Sequence, residues 1–229
     1  MSTELEAIPL LTLPAVLFPG TFLPIALHEH GQRALLSACT ESSRRLGVVY
    51  AHPDAAGAPL SPPSSVGCLA SVAFLLHQNE QPMHAILFGE HRIRLTEISQ
   101  QAPYPLGCAA MMDELDGVNA QQRTRQAGRV FQQYLSLIRQ RYQADITHVP
   151  LPDDPTAASY LLASALYVSV ETKQHWLESA TAALRLEAEL AYLTDECERL
   201  TTFLTLTRGQ RHAYTLPDYE HLAGMISLN

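Results

Sequence analysis

Lys173 is the only lysine of the chain and the residue whose type most directly suggests catalysis. A lysine whose pKa is lowered by burial can activate a serine in a Ser–Lys hydrolase. Lys173 lies in SVETKQHWLE, in the first turns of a predicted helix, and no glycine precedes it as in a phosphate-binding loop. Because a lone lysine is weak evidence for a nucleophile pair, we interpret Lys173 as a surface or interface helix residue.

Two candidate metal ligands alternate in His28-Glu29-His30. On a strand both imidazoles would share one face, but two ligands do not make a metal site. The ten histidines are otherwise scattered, without an HExxH motif or a His/Cys cluster. We therefore interpret His28 and His30 as solvated loop residues, and we predict no metal site, no cofactor and no catalytic residue.

Two acidic pairs also have structural interpretations. Asp153-Asp154 fits the start of a helix, and Asp113-Glu114 fits the end of a strand. The members of a Ser–His–Asp triad need not be neighbours, and nothing in the sequence supports one. Since GxGxxG and GxSxG motifs are also absent, the residues favour a binding module over an enzyme.

The charge balance disfavours nucleic acid as a partner. The net charge is −8, and of fifteen basic side chains only one is lysine. Nucleic-acid binding without sequence preference depends on clustered basic residues. Arginines do cluster at 123, 125, 129, 139 and 141, but their helical spacing is typical of the solvated face of an amphipathic helix.

The sequence predicts a cytoplasmic protein without a membrane span. The N-terminal MSTELEAIPLL has acidic residues and no positive region, unlike a signal peptide. No apolar run approaches the roughly 18 residues of a transmembrane helix without a proline or polar residue. The cysteines lack metal or redox spacing and indicate reduced, buried thiols. They are Cys39, Cys68, Cys108 and Cys197.

The first half of the sequence predicts short strands that form a closed or half-closed barrel. We expect strands at Ile8–Leu13, Phe22–Leu27, Leu46–Tyr50, Val66–Leu76, Met83–Phe88, His91–Ile98 and about Leu106–Leu115. Pro19-Gly20 predicts a turn, Gly89-Glu90 a hairpin turn, and Pro24 an edge position or a bulge. One short helix is expected between Leu36 and Arg45, and a loop at Ala51–Ser65.

The second half predicts helices. Apolar periodicity and capping residues indicate helices at Ala120–Gln143, Pro155 to about Val168, Val170–Ser179, and from Thr181 to Arg208-Gly209. The predicted N-caps are Asp154, Ser169 and Thr181. In the last helix a narrow apolar seam recurs at Leu186, Leu190, Leu193, Cys197, Leu200 and Leu204. Strands followed by helices indicate an α+β fold.

The stretch IPLLTLPAVLFPGTFLPIALHEHGQRALL resembles the opening of the N-terminal, substrate-binding domain of Lon proteases. The matching residues are Pro9, Leu17, Phe18, Pro19, Gly20, Leu23, Pro24, Glu29, Arg33, Ala34 and Leu35. The resemblance continues through LGVVY, VGCLASV, FGEHRIRLTEI and PYPLGCA. A second signature appears in KQHWLE and RLEAEL, so the match spans roughly Ile8 to Leu206.

The resemblance implies a six-stranded, PUA-like pseudobarrel followed by a helical bundle, and a role in recognising unfolded proteins or peptides. It suggests a barrel subdomain at residues 1–116, a helical subdomain at 117–209 and a tail at 210–229. In Lon an ATPase and a Ser–Lys protease follow this domain. This chain has no Walker loop, and its only lysine belongs to the helical signature. We therefore expect a stand-alone, non-catalytic module.

The chain departs from the family pattern at Pro14-Ala15, where a charged pair is usual, and at His28–Gln32. We expect the binding surface at the groove between barrel and helices, or at the barrel face near His28–Arg33. The candidate peptide-binding residues at that face are His28, Glu29, His30 and Arg33, and no family site residue is carried over to them. Two alternatives remain from other classes: a hydrolase with an unrecognised active site, and an RNA-binding PUA-like module, which rests on fold analogy alone. The oligomeric state stays open.

Overall fold

A computed structural model describes residues 4–27, 30–42, 45–51, 64–76, 83–99, 103–143 and 149–207. These residues form six strands and five helices, which confirms the mixed α+β class. The strands are β1 (Glu4–Leu13), β2 (Phe22–Leu27), β3 (Leu46–Tyr50), β4 (Val66–Leu76), β5 (Met83–Ser99) and β6 (Leu106–Met111). The helices are α1 (His30–Ser42), α2 (Ala120–Tyr142), α3 (Pro155–Ala165), α4 (Val170–Glu178) and α5 (Ala182–Leu206).

The chain forms two compact units. One, the sheet unit, comprises Met1–Glu114 together with Val168–Glu178, so it contains all six strands, α1 and α4. The other, the helical unit, comprises Leu115–Tyr167 and Ser179–Asn229, with α2, α3 and α5. The predicted tail, 210–229, lies outside the described residues, and so does most of the predicted loop at Ala51–Ser65.

Five of the six strands in the sheet unit pair in a closed circuit that begins and ends at β5. The order is β2-β5-β4-β3-β1-β6, and β5 also pairs with β6. Five strands are therefore linked in a ring, and β2 is attached outside it, along β5. β1 and β3 pair in parallel, while the other pairs are antiparallel.

Successive residues of the ring strands belong to two different cores, as the alternation of side chains along a strand requires. One core draws on all five ring strands: Ile8, Leu10, Val49, Leu69, Ile93, Leu95 and Ala109. The other takes the neighbouring residues Leu11, Val48 and Cys68 and adds Leu35, Leu36 and Cys39 of α1. Because both faces of these strands are buried, their sequences are apolar runs rather than alternating patterns.

The predicted hairpin at Gly89-Glu90 is wrong, because β5 continues through both residues. Gly89 pairs with Ala70 and His91 with Leu69, so Glu90 is the extra residue of a β-bulge. A Cβ atom on Gly89 would lie 2.3 Å from the carbonyl oxygen of Phe18. The glycine therefore permits a close backbone approach within a strand, which gives the same sequence signal as a turn.

Three predicted boundaries also differ. α1 begins at His30, six residues before the predicted start, and β6 ends at Met111 instead of Leu115. β1 begins at Glu4, and Ala7, with φ of 50°, lies in an irregularity of its pairing with β6. The Pro19-Gly20 turn is confirmed, since Gly20 has φ of 74° and Thr21 N donates to Phe18 O.

The helical unit confirms its predicted caps. Asp154 Oδ2 accepts a hydrogen bond from Ala157 N at 2.7 Å, and Pro155 occupies the first turn of α3. Thr181 Oγ1 accepts from Leu184 N at the start of α5. The predicted seam is buried from Leu186 to Leu200, and α5 packs on α2 and α3. Within the described residues, no helix is long and apolar enough to cross a membrane.

Two ionisable residues, Arg185 and Glu189, lie in the interior of the helical unit. Arg185 donates through Nε to Ser159 Oγ at 2.8 Å, and its guanidinium lies 4.0 Å from the centre of the Tyr160 ring. Glu189, one turn later on α5, is fully buried, and neither carboxyl oxygen has a hydrogen-bond partner within the described residues. Burial raises the pKa of the Glu189 carboxyl well above its usual range, although Arg185 opposes this.

Gly89→Ala tests the close approach in β5, with Gly128→Ala as the matched control. We expect Gly89→Ala to lower the free energy of unfolding by about 2 kcal/mol or more, because the new methyl group meets backbone. A Cβ on Gly128 of α2 meets nothing within 4 Å, so that variant should gain up to about 1 kcal/mol of helix propensity. Urea unfolding followed by circular dichroism measures both; equal effects would contradict the assignment.

Glu189→Gln tests the buried carboxyl. In the wild type, the unfolded chain loses this proton above about pH 4.3, whereas the folded carboxyl keeps it to higher pH. Stability from this group is therefore complete below about pH 4 and declines as pH rises towards the folded pKa, by up to about 1.4 kcal/mol per pH unit. Relative to wild type, Glu189→Gln should become more stable as pH rises.

Urea unfolding between about pH 5 and pH 8 measures this difference. Glu187→Gln is the control, because Glu187 lies on the same helix in an exposed ion pair with Arg123. A Glu189→Gln variant that is less stable than wild type by the same amount at every pH would show instead that the carboxylate is ionised and needed by Arg185.

Candidate functional site

Three strands of the sheet unit bring apolar residues from distant parts of the sequence onto one face. Phe22 of β2 pairs with Phe88 of β5. One step along, Pro24 pairs with Ile86, which also pairs with Phe74 of β4. Because directly paired residues project to the same side of a sheet, these five side chains share one face. We call this set the outer apolar face.

The outer apolar face is open to solvent. Phe22 and Phe74 are 48% and 55% exposed. The rings of Phe22 and Phe88 contact each other, with centroids 5.0 Å apart and planes tilted by 46°. Pro24 is exposed, and Ile86 and Phe88 are half-buried. A contiguous set of exposed aromatic and aliphatic residues is unusual on a protein surface, so this face is the candidate site.

The opposite face of the same strands is packed in a core, and this packing fixes the strands that carry the exposed residues. Leu23, Val72 and Leu87 occupy one cross-strand row, and Ile25, Ala85 and Leu75 occupy the next. All six belong to, or pack against, the core that α1 covers. The alternation that buries this face turns Phe22, Pro24 and their partners outward.

Pro24 lies on an edge strand, as the sequence predicted, because within the described residues β2 pairs only with β5. Proline has no N–H to donate, so it weakens the free edge of β2 as a template for an added strand. The free edge of β2 therefore lacks a complete row of backbone donors, and the side chains of the outer apolar face are the groups left for contact.

The predicted site residues are only partly described. His28 and Glu29 lie outside the described residues. His30 is the exposed first residue of α1, and the half-buried Arg33 follows one turn later. Both therefore lie on the helix that follows β2, and not on the outer apolar face. Arg33 Nε is buried and has no hydrogen-bond partner within the described part of the chain.

Arg92 attaches α4 to the sheet. Although Arg92 is only 2% exposed, Nη1 donates to Leu177 O at 3.0 Å, at the C-terminus of α4. Nη2 lies 3.2 Å from Glu114 Oε2 and 3.4 Å from Asp113 O, in the segment that follows β6. Arginine is suited to this position because its planar fork presents several donors at once. The contact joins three separate parts of the sheet unit.

Three further side chains of α4 complete its attachment. Gln174 Nε2 donates to Val66 O at 3.0 Å and to Glu178 Oε1 at 2.7 Å, while Trp176 and Leu177 are buried. Lys173 is half-buried, and burial lowers its pKa to about 8. The nearby Ser169 is the helix cap, where its Oγ accepts from Thr172 N.

The comparison with protein families identifies the domain. A family model described as the ATP-dependent protease La (LON) substrate-binding domain matches residues 7–195. The chain belongs to the LON substrate-binding domain family. Residues 173–178, KQHWLE, lie inside the match, and they include the buried side chains Gln174, Trp176 and Leu177 of α4.

Two solved structures are similar to this LON domain. The N-terminal domain of Mycobacterium avium complex Lon protease superposes with a TM-score of 0.65 at 19% identity, covering 83% of this chain and 99% of that one. A Lon N-terminal domain protein from Xanthomonas campestris gives a TM-score of 0.56 at 19% identity, covering 83% and 98%. A comparison with curated protein sequences gives no match. At this identity the neighbours show the fold.

The LON domain offers no metal centre within the described ranges, where no three His, Cys, Asp or Glu side chains are placed to hold an ion. The four cysteines are free thiols, and three of them are buried. Burial raises the pKa of Cys68 and of Cys197, which keeps both thiols protonated and poorly nucleophilic.

Arg92→Met tests how α4 is attached, with Arg94→Met as the matched control two residues away on β5, where the side chain is exposed. Removing the Arg92 guanidinium leaves the carbonyls of Leu177 and Asp113 without this donor, so we expect a loss of about 3 kcal/mol. Arg94→Met should change stability by less than about 0.5 kcal/mol.

The fluorescence of Trp176, the single tryptophan of the chain, reports on α4 during urea unfolding. Equal midpoints for Arg92→Met and Arg94→Met would show that α4 is held without the guanidinium.

Proposed function

We propose that this LON domain is a non-catalytic module that recognises unfolded proteins or peptides through its outer apolar face. The observation that carries this proposal is the exposure of Phe22, Pro24 and Phe74 on strands whose other face is packed in a core. The family description, a substrate-binding domain, points to the same role.

The chemistry of the face suits apolar segments of a chain. Folded proteins bury most of their large apolar side chains, and unfolding exposes them. Aromatic residues dominate the energetics of binding because each removes a large apolar area from water with few rotatable bonds. Since the backbone beneath the face is held by strand pairing on both sides of β5, little ordering entropy is lost on binding.

Selectivity at this face would come from side chains. A strand-addition mode depends on a row of free backbone donors and acceptors, and Pro24 removes a donor from β2. We therefore expect tolerance of many sequences with spaced aromatic or aliphatic residues, and weak dependence on salt.

We further propose that His28, Glu29, His30 and Arg33 form a polar border to the recognition surface. They follow β2 directly in sequence, and His30 is exposed at the start of α1. Polar residues around an apolar centre exclude mismatched partners more than they add affinity. Because the chain departs from the family pattern here, these residues are the expected source of its own specificity.

The finer architecture is part of the same proposal. We propose that the sheet corresponds to a PUA-like pseudobarrel, which the five-strand ring supports. We propose a barrel subdomain at 1–116, a helical subdomain at 117–209 and a tail at 210–229. We also propose that the protein is cytoplasmic and that it binds unfolded proteins or peptides and not nucleic acid.

Binding of a fluorescently labelled, reduced and carboxymethylated protein tests the proposal by fluorescence polarisation. The double variant Phe22→Ser, Phe74→Ser should weaken binding by about tenfold or more, because two exposed aromatic contacts are lost. Ile98→Ser is the control, since Ile98 is also exposed on β5, at 40%, and lies outside the face. An equal loss in both variants, or none in either, would refute the assigned face.

The same preparations separate recognition from catalysis. We expect the labelled substrate to remain intact on prolonged incubation, as judged by gel electrophoresis. Cleavage that survives purification and disappears in Lys173→Ala would instead favour the hydrolase alternative, since Lys173 is the lysine with a lowered pKa.

A further inference from the structure

Helix α2 of the helical unit has a charge that contrasts with the rest of the chain. Its 23 residues include five arginines and no acidic residue. Because the net charge of the whole chain is −8, the remaining residues together carry −13. A local positive field of this kind in an acidic protein attracts anionic groups to one place.

The five arginines have different surroundings. Arg123 pairs with Glu187 Oε2 at 2.9 Å and donates to Ala183 O. Arg141 lies over the rings of Phe203 and Tyr142. By contrast, Arg125 and Arg129 are exposed, and neither has an ion-pair partner within the described residues. They lie one turn apart on the same side of α2, so two guanidinium groups are available together.

These two arginines border a groove that the chain builds against α2. The extended segment Val149–Asp153, which we call the strap, runs along the helix. A side-chain hydrogen bond from α2, which we call a tie, holds it at each end. Gln132 Nε2 donates to Val149 O at 2.7 Å, and Gln121 Nε2 donates to Asp153 O at 3.0 Å. The ties are three helical turns apart, about 16 Å along the axis. The strap therefore runs antiparallel to α2.

The space between the ties is a groove of about 400 Å³, within the usual range of ligand sites. Gly128 leaves room in the groove, since a Cβ atom there would contact nothing within 4 Å. Thr124 adds its buried side chain, and Leu151 with its two flanking prolines forms the strap side. Asp153 lies at one end and is the acidic residue of the lining.

We propose that this groove binds an extended acidic segment of a polypeptide, at a site separate from the outer apolar face. The two arginines are complementary to Asp and Glu side chains spaced along such a segment. Between its ties, the strap has carbonyl groups but only one N–H, because Pro150 and Pro152 have none. A peptide backbone supplies N–H donors that match these carbonyls, whereas a nucleic-acid backbone has no equivalent donors.

Fluorescence polarisation with a labelled eight-residue peptide containing four glutamates tests the groove on the full chain. The same peptide with four glutamines is the neutral control. Arg125→Gln combined with Arg129→Gln should weaken binding by about tenfold or more, because two charge-assisted contacts are lost. Arg139→Gln, an exposed arginine of α2 outside the groove, should change the affinity by less than about twofold.

Gly128→Leu supplies a second test that leaves every charge in place. The leucine side chain would project into the groove and obstruct it. The open space at Gly128 together with the higher helix propensity of leucine should preserve the fold. We expect this variant to lose peptide binding while its circular dichroism spectrum is unchanged. It should keep its affinity for the unfolded protein used above, which separates this proposal from that for the outer apolar face.

Three outcomes would overturn the proposal. The first is absence of binding of the glutamate peptide at high micromolar protein. The second is an equal loss with Arg139→Gln and with the double arginine variant, which would indicate a general attraction to α2. The third is binding of a labelled single-stranded RNA, weakened by the same variants and stronger than that of the peptide, which would identify a polyanion site instead.

Discussion

The sheet unit depends on one buried guanidinium, that of Arg92. Its donors reach the C-terminus of α4 and the segment after β6, and its own carbonyl accepts from Met112 N. Removing a charge from water is costly, and the hydrogen bonds of Nη1 and Nη2 offset part of that cost at Arg92. α4 follows β6 by more than fifty residues in the chain, so sequence neighbours do not hold the two together. The Arg92 side chain links them instead. Part of the Lys-Gln…Leu-Glu signature of α4 then has a structural explanation, because Gln174 bonds to β4 and Leu177 is buried and supplies the carbonyl that Arg92 binds.

The second constraint is the length of β5, whose 17 residues serve two purposes. Its C-terminal half closes the ring with β6, and its N-terminal half extends beyond the ring between β2 and β4. The bulge at Glu90 lies between the halves and changes which side chains point to the core. Without that bulge, the alternation that buries Leu87 would continue unbroken into the ring. The outer apolar face is therefore a consequence of how one strand joins two pieces of sheet.

Local features of the fold were predictable from sequence, whereas the candidate site was not. The caps at Asp154 and Thr181 act within one helical turn, so the chain itself carries the whole signal. The turn predicted at Gly89 is wrong because glycine permits both turns and close backbone approaches. Arg92 and Arg94 look alike as alternating strand residues, yet only the first is buried, since burial depends on where α4 docks. The outer apolar face escaped detection because its members come from three strands, and register alone brings Pro24, Ile86 and Phe74 together.

The two surfaces differ in the force that governs them, and this bears on how one small domain could select a substrate. Contacts on the outer apolar face derive from water released from nonpolar area, which salt weakens little. Contacts on α2 act through charge, and ions at physiological strength screen them beyond about 8 Å. Since the chain outside α2 carries −13, an acidic ligand is repelled by most of the molecule and attracted at one helix. Binding of spaced apolar residues and binding of an acidic stretch should therefore respond differently to salt, the first weakly and the second strongly.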